Sequence, residues 1–200
     1  MSVRFGLRLM GLYLDKIERA FQVDPRDMVA AYHDRAEACI ETGRYNEAIS
    51  LCGKLAEING SDAEAHYKLG VAYMGNSLLE DAVDSFRKVT KLDPKRAGAH
   101  FRLGVLHDKS GDTDSAIAAY KKAVKLEPDR ADFHYMLGLV QDKKGDHKQA
   151  IDAFNKAIEL APEEAKYHYR LGLVYDGQGE REKAVAAFKK AVEAEEAEDQ

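Results

Sequence analysis

Four glycines, Gly70, Gly104, Gly138 and Gly172, stand 34 residues apart. Ala48, Ala82, Ala116, Ala150 and Ala184 keep the same step, as do the rings Phe86, Tyr120, Phe154 and Phe188. The prolines Pro94, Pro128 and Pro162 and the histidines His66, His100, His134 and His168 follow it too. A chain that repeats at one step folds as a stack of similar units, each burying its apolar face against its neighbours.

Within each period apolar residues recur at three and four, and a turn falls near the middle at Gly43, Gly111, Gly145 and Gly179. That pattern predicts two amphipathic helices joined by a short loop. The expected first helices are 30–42, 64–76, 98–110, 132–144 and 165–178. The expected second helices are 46–58, 79–91, 113–126, 147–160 and 181–195. Glycine inside a helix costs about 1 kcal/mol against alanine, so packing must compensate. The small-residue columns are read as points where two helix backbones come close. Proline ends each second helix, and Asn59-Gly60 does so by turn chemistry in the first full repeat.

Leu69-Gly70-Val71-Ala72-Tyr73, followed by Ala82, Phe86 and Pro94, resembles the signature of the tetratricopeptide-repeat family. The resemblance runs from Val29 to Glu198. It implies an all-α solenoid, a right-handed superhelix of helix-turn-helix repeats that binds other proteins. The expected organisation is an N-terminal half repeat at 1–28, then five full repeats at 29–62, 63–96, 97–130, 131–164 and 165–198.

The register slips by one residue at the N-terminus, where Pro25 lies 35 residues before Gly60. Ala20 to Pro25 reads as the end of a second helix, and Tyr13 stands where alanine is expected. Leu7, Met10, Leu14, Ile17 and Phe21 form an apolar stripe at three-then-four spacing. Burying such a stripe is worth on the order of 5–10 kcal/mol. Either it caps the first full repeat or it docks into another molecule, as an oligomerisation element.

Tetratricopeptide repeats hold ligands along a concave face lined by first helices. Carried over, that face presents Tyr67, Phe101, Tyr135 and Tyr169, with His33 at the head of the row. Beside it run Val71, Val105, Leu139 and Leu173, then Asp108, Asp142 and Asp176, with Lys68, Arg102 and Arg170 as a basic row. Members that clamp a C-terminal carboxylate place lysine where this chain has Tyr67, Phe101 and Tyr135. They place asparagine where it has Val71 and Val105. The departure argues against a chaperone-tail adaptor. An aromatic and aliphatic strip edged by charge suits an amphipathic helix or an extended apolar segment. The alternative is that these side chains fill the space between adjacent first helices.

Other functions find no support. The net charge is −5 with both signs interspersed, which leaves no basic field for nucleic acid. No apolar run reaches the roughly 18 residues that span a bilayer. Arg8 interrupts the apolar start, and no small-residue cleavage site follows, so an unsecreted, cytoplasmic chain is expected. Cys39 and Cys52 fit a reducing compartment and are read as buried free thiols. The histidine column cannot share a metal, because successive repeats sit about 10 Å apart and zinc needs its ligands within about 2.1 Å. It is read as packing. There is no phosphate loop, nucleophile elbow or His-Glu-x-x-His. Neither catalytic residue nor cofactor nor metal is expected, and the sequon at Asn59-Gly60-Ser61 has no use in an unsecreted chain.

Phe21-x-Val23, Tyr32-x-Asp34 and Gly43-Arg44-Tyr45, then Phe101-Arg102-Leu103-Gly104-Val105 with Asp108, resemble the MamA family, magnetosome-associated repeat proteins of magnetotactic bacteria. The order of half repeat, slip and five full repeats is similar as well. This resemblance implies a scaffold that self-assembles on the magnetosome membrane surface through membrane-bound partner proteins. The alternative is a bacterial repeat adaptor that binds peptide segments as a monomer in cell-envelope or secretion assembly.

Overall fold

The computed structural model describes residues 25–198, and there the periodic pattern resolves into ten α-helices. They are α1 (Pro25–Glu41), α2 (Tyr45–Ile58), α3 (Ala63–Gly75), α4 (Leu79–Leu92) and α5 (Ala97–Lys109). There follow α6 (Thr113–Leu126), α7 (Ala131–Lys144), α8 (His147–Leu160), α9 (Ala165–Gly177) and α10 (Arg181–Glu198). No strand occurs among the described residues. Helix ends lie within one residue of expectation, save that α10 runs on to Glu198 and α1 begins five residues early, at Pro25. Pro25 is therefore the first residue of α1, and the rest of the expected helix end at Ala20 to Pro25 lies outside the described residues. At the first helical position proline's missing N–H is one of the donors a helix leaves unpaired anyway. The stripe of Leu7, Met10, Leu14, Ile17 and Phe21 lies outside the described residues.

The chain divides into two units, Met1–Leu78 and Leu79–Gln200. In the first, α1, α2 and α3 pack on one another around Tyr32, Ala36, Cys39, Leu51, Cys52 and Leu55. Asp62 caps α3, its side chain accepting from the Ala65 N–H at 2.9 Å, and it also meets His33 Nε2 at 2.8 Å. Burial pushes Asp62 up, but these hydrogen bonds outweigh it and hold the carboxyl below its ordinary value. In the second unit each helix from α4 to α10 packs on the next, and α7 also meets α9.

The first-to-second helix turns share one construction. Arg44 donates its N–H to the Cys39 carbonyl, Asp112 to His107, Asp146 to Gln141 and Glu180 to Tyr175. Each is the six-to-one bond of a Schellman turn, with a left-handed residue just past the helix. That residue is Gly43, Gly111, Gly145 or Gly179, at φ +70° to +88°. The same turn after α3 uses Ser77 at φ +62°, with Leu78 donating to the Tyr73 carbonyl.

The helical glycines have a different reason from the one expected. A Cβ on Gly104 would lie 2.7 Å from the Tyr120 ring, one on Gly138 2.8 Å from Phe154, and one on Gly172 2.6 Å from Phe188. Each glycine makes room for the ring of its own repeat's second helix, not for a neighbouring backbone. Tyr120 and Phe154 are completely buried there. The Tyr120 hydroxyl finds no hydrogen-bond partner, and burial raises its pKa.

Two stability predictions follow. Ser77→Gly relieves a left-handed serine and raises unfolding free energy by about 1 kcal/mol, while Gly111→Ala lowers it by a similar amount; chemical denaturation measures both. Tyr120→Phe removes a buried, unpaired hydroxyl and leaves stability equal or up to about 1–3 kcal/mol higher. A clear loss in thermal unfolding would contradict that reading.

Candidate protein-binding surface

The expected binding rows fall on α3, α5, α7 and α9. In the first unit Tyr67 and Val71 are half-buried on α3. Between them Lys68 is buried. Its ammonium donates to the His33 carbonyl at 3.0 Å and to the Glu37 carboxylate at 2.8 Å. The hydrogen bond from Lys68, and then its charge, hold Glu37 below the ordinary carboxylate range. This lysine is committed to the fold rather than offered to a ligand.

In the second unit, Phe101, Arg102, Val105 and Asp108 on α5 and Tyr135, Leu139 and Asp142 on α7 are half-buried. The rings sit in a seam. Phe101 stacks on Phe133 with centroids 4.7 Å apart and tilts against Tyr120 at 5.5 Å. Tyr135 meets Tyr167 at 4.9 Å and Phe154 at 5.9 Å. Each is held between its own repeat's second helix and the next repeat's first helix. On α9 the row emerges: Tyr169 meets Phe188 at 5.6 Å, yet is 51 % exposed, and Leu173 is 38 % exposed. The acidic row is engaged differently along its length. Asp108 accepts from Lys143 at 2.8 Å and Asp142 meets His147 Nδ1 at 2.9 Å, whereas Asp176 is exposed. The Asp108 and Asp142 contacts are well exposed, so each contributes about 1 kcal/mol or less.

A tetratricopeptide-repeat model matches residues 41–97, 67–131, 101–165 and 135–199. A crystal structure of MamA is 35 % identical to the chain, with a TM-score of 0.78 over 82 % of this chain and 95 % of that one. The chain belongs to the MamA family of tetratricopeptide-repeat proteins. MamA from Desulfovibrio magneticus RS-1, from residue 41 to its end, is 30 % identical, with a TM-score of 0.81 over 87 % and 98 % of the two chains. Comparison with curated proteins gives no match. Tetratricopeptide repeats form a protein-interaction scaffold, and that is the coarse role of this MamA-family chain.

The histidine column has a function the sequence reading missed. His100, His134 and His168 bring Nε2 to the carbonyls of Pro94, Pro128 and Pro162, at 3.1, 2.8 and 2.9 Å. His66 does the same to Gly60 at 3.2 Å. Each ring pins the loop between repeats to the helix that follows. The constant spacing of six between turn residue and histidine was visible in the sequence. Cys39 and Cys52 are free and buried, and burial pushes the Cys52 thiol up to about 12. Among the described residues no three His, Cys, Asp or Glu side chains could hold a metal ion.

Burial, aided by the Lys122 charge, lowers the His100 pKa despite the bond to Pro94. The unfolded chain therefore takes up this proton first as pH falls. The stability held by neutral His100 is complete above about pH 6.5 and is lost as pH drops through the lower, folded-state value. Thermal unfolding should weaken between pH 7 and 5, and His100→Gln should flatten part of that slope. An unchanged slope in the variant would contradict the assignment.

Proposed function

We propose that this MamA-family chain is a self-assembling scaffold that recruits partner proteins to the cytoplasmic face of the magnetosome membrane. The observation that carries the reading is the apolar row of first helices in the second unit, ending in exposed Tyr169 and Leu173 beside Asp176. Contiguous apolar surface of this kind marks interaction sites on soluble folds. Kinship with MamA supports the cellular setting. None of the described helices is long and apolar enough to cross a membrane, so attachment would run through membrane-bound partners. Within the second unit the wider row Phe101, Arg102, Val105, Asp108, Tyr135, Leu139 and Asp142 belongs to the same proposed face, and Tyr67 and Val71 are the proposed binding positions of the first unit. The inner members of the row also serve the fold.

That double duty decides which variants test the reading. Tyr135→Ala empties a packed site and costs about 3 kcal/mol or more, so lost binding there would not separate binding from folding. Leu173→Glu combined with Asp176→Lys alters only exposed positions. The pair should leave the melting temperature within a few degrees and weaken capture of magnetosome-membrane proteins at least tenfold. Undiminished capture by the double variant would count against this surface.

A further inference from the structure

The last repeat carries an open pocket of about 610 Å³, lined by Ala165, Tyr169, Phe188, Ala191, Val192 and Glu195 together with Lys166. The first six have counterparts of the same kind two periods earlier: Ala97, Phe101, Tyr120, Ala123, Val124 and Glu127. There the space is filled. Phe133, from the next first helix, packs with Ala97, Ala123, Phe101 and Val124 and is 2 % exposed. One period on, Tyr167 takes the corresponding place against Tyr135 and is 3 % exposed. Among the described residues nothing fills the third socket, and Val192 is 53 % exposed where Val124 and Ile158 are half-buried.

The two filled sockets define what fits. Each ring is followed four residues on by leucine and seven on by valine, Phe133-Leu137-Val140 and Tyr167-Leu171-Val174, and all of these are buried. Charge belongs to the fit as well. Arg130 lies over the Phe133 ring, 4.6 Å from its centroid, and reaches Glu127 at 3.5 Å. A guanidinium so placed is attracted by the ring face and the carboxylate together. Glu195 is the counterpart of Glu127, and it is exposed, with exposed Glu196 beside it. Lys166, the cation of the lining, is paired with Glu164 and lies over Tyr167 at 5.1 Å. The empty socket therefore offers an apolar floor for a ring, and a carboxylate where the filled one meets an arginine. In these 200 residues the spacing of arginine, ring three on, leucine seven on and valine ten on occurs once, at α7, where it is already seated.

We propose that the terminal repeat binds an amphipathic helix of a different protein, one with an arginine, a ring three residues on, leucine at the seventh place and valine at the tenth. The ring enters the socket of Tyr169, Phe188 and Val192, and the arginine meets Glu195. Helix-in-groove recognition works through anchors at such spacing. The site rests on the scaffold reading, for which it names one kind of partner. It shares Tyr169 with the first-helix row but needs neither Leu173 nor Asp176.

Fluorescence anisotropy on the full chain tests it, with a labelled peptide that copies residues 129–144 and carries Gly138→Ala, because that glycine makes room for the Phe154 ring, which a lone helix does not bring. Wild type should bind the peptide saturably. Val192→Glu, at an exposed position, should weaken binding at least tenfold and leave the melting temperature unchanged, and Phe133→Ala in the peptide should weaken binding as much. Glu195→Lys should weaken it about threefold, the scale of an exposed ion pair, and Arg130→Glu in the peptide should recover the loss. Leu173→Glu with Asp176→Lys should leave peptide binding unchanged. A wild type that does not bind the peptide, or binding undiminished by Val192→Glu, overturns the socket while the scaffold reading, tested by capture of membrane proteins, stands. Self-association that Val192→Glu abolishes, with no peptide bound, makes a second copy the occupant and overturns the proposal as well.

Discussion

A ring laid over a glycine holds each repeat of the second unit in register. Tyr120 on Gly104, Phe154 on Gly138 and Phe188 on Gly172 come so close that no Cβ fits. The magnitudes favour the arrangement. A helical glycine costs about 1 kcal/mol, and full burial of a large apolar side chain returns about 1.5–3 kcal/mol. Once the ring is seated, the second helix can neither slide nor rotate against the first. The turn glycines, the loop histidines and the next repeat's ring then fall at fixed distances along the chain. The first unit places a ring on a glycine by another route, with Tyr45 at the start of α2 over Gly75 at the end of α3.

Periodicity made the helices legible because a strict repeat repeats its own evidence: the ring, turn and proline columns each mark an element several times. What it left open was the partner of each small residue. Gly138 has the same spacing to Phe154 and to the backbone of a neighbouring helix in any one-dimensional reading, and only the coordinates choose the ring. Pro25 shows the opposite difficulty. Proline serves a loop before a helix and the first helical position equally well, and with the register slipped there was no column to arbitrate. The histidines were placed correctly as packing residues, but their imidazoles also complete the hydrogen bonding of the inter-repeat loops.

The binding rows were legible as positions and ambiguous as chemistry. A half-buried aromatic on a first helix looks the same in sequence whether it faces a partner or the next repeat. Phe101 and Tyr135 turn out to be bound up in the seam, and Asp108 and Asp142 are engaged by Lys143 and His147. The rings of Phe101 and Tyr135 are thus used in stacking on the repeat that follows them. On α9 and α10, Tyr169, Leu173, Val185 and Val192 all face solvent.

That distribution separates two kinds of change along the first-helix row. Phe101 and Tyr135 touch both their own repeat and the next, so altering either disturbs the stacking. Leu173 and Asp176 are exposed, so the surface they offer can change without disturbing the ring-on-glycine packing of Phe188 on Gly172 beneath.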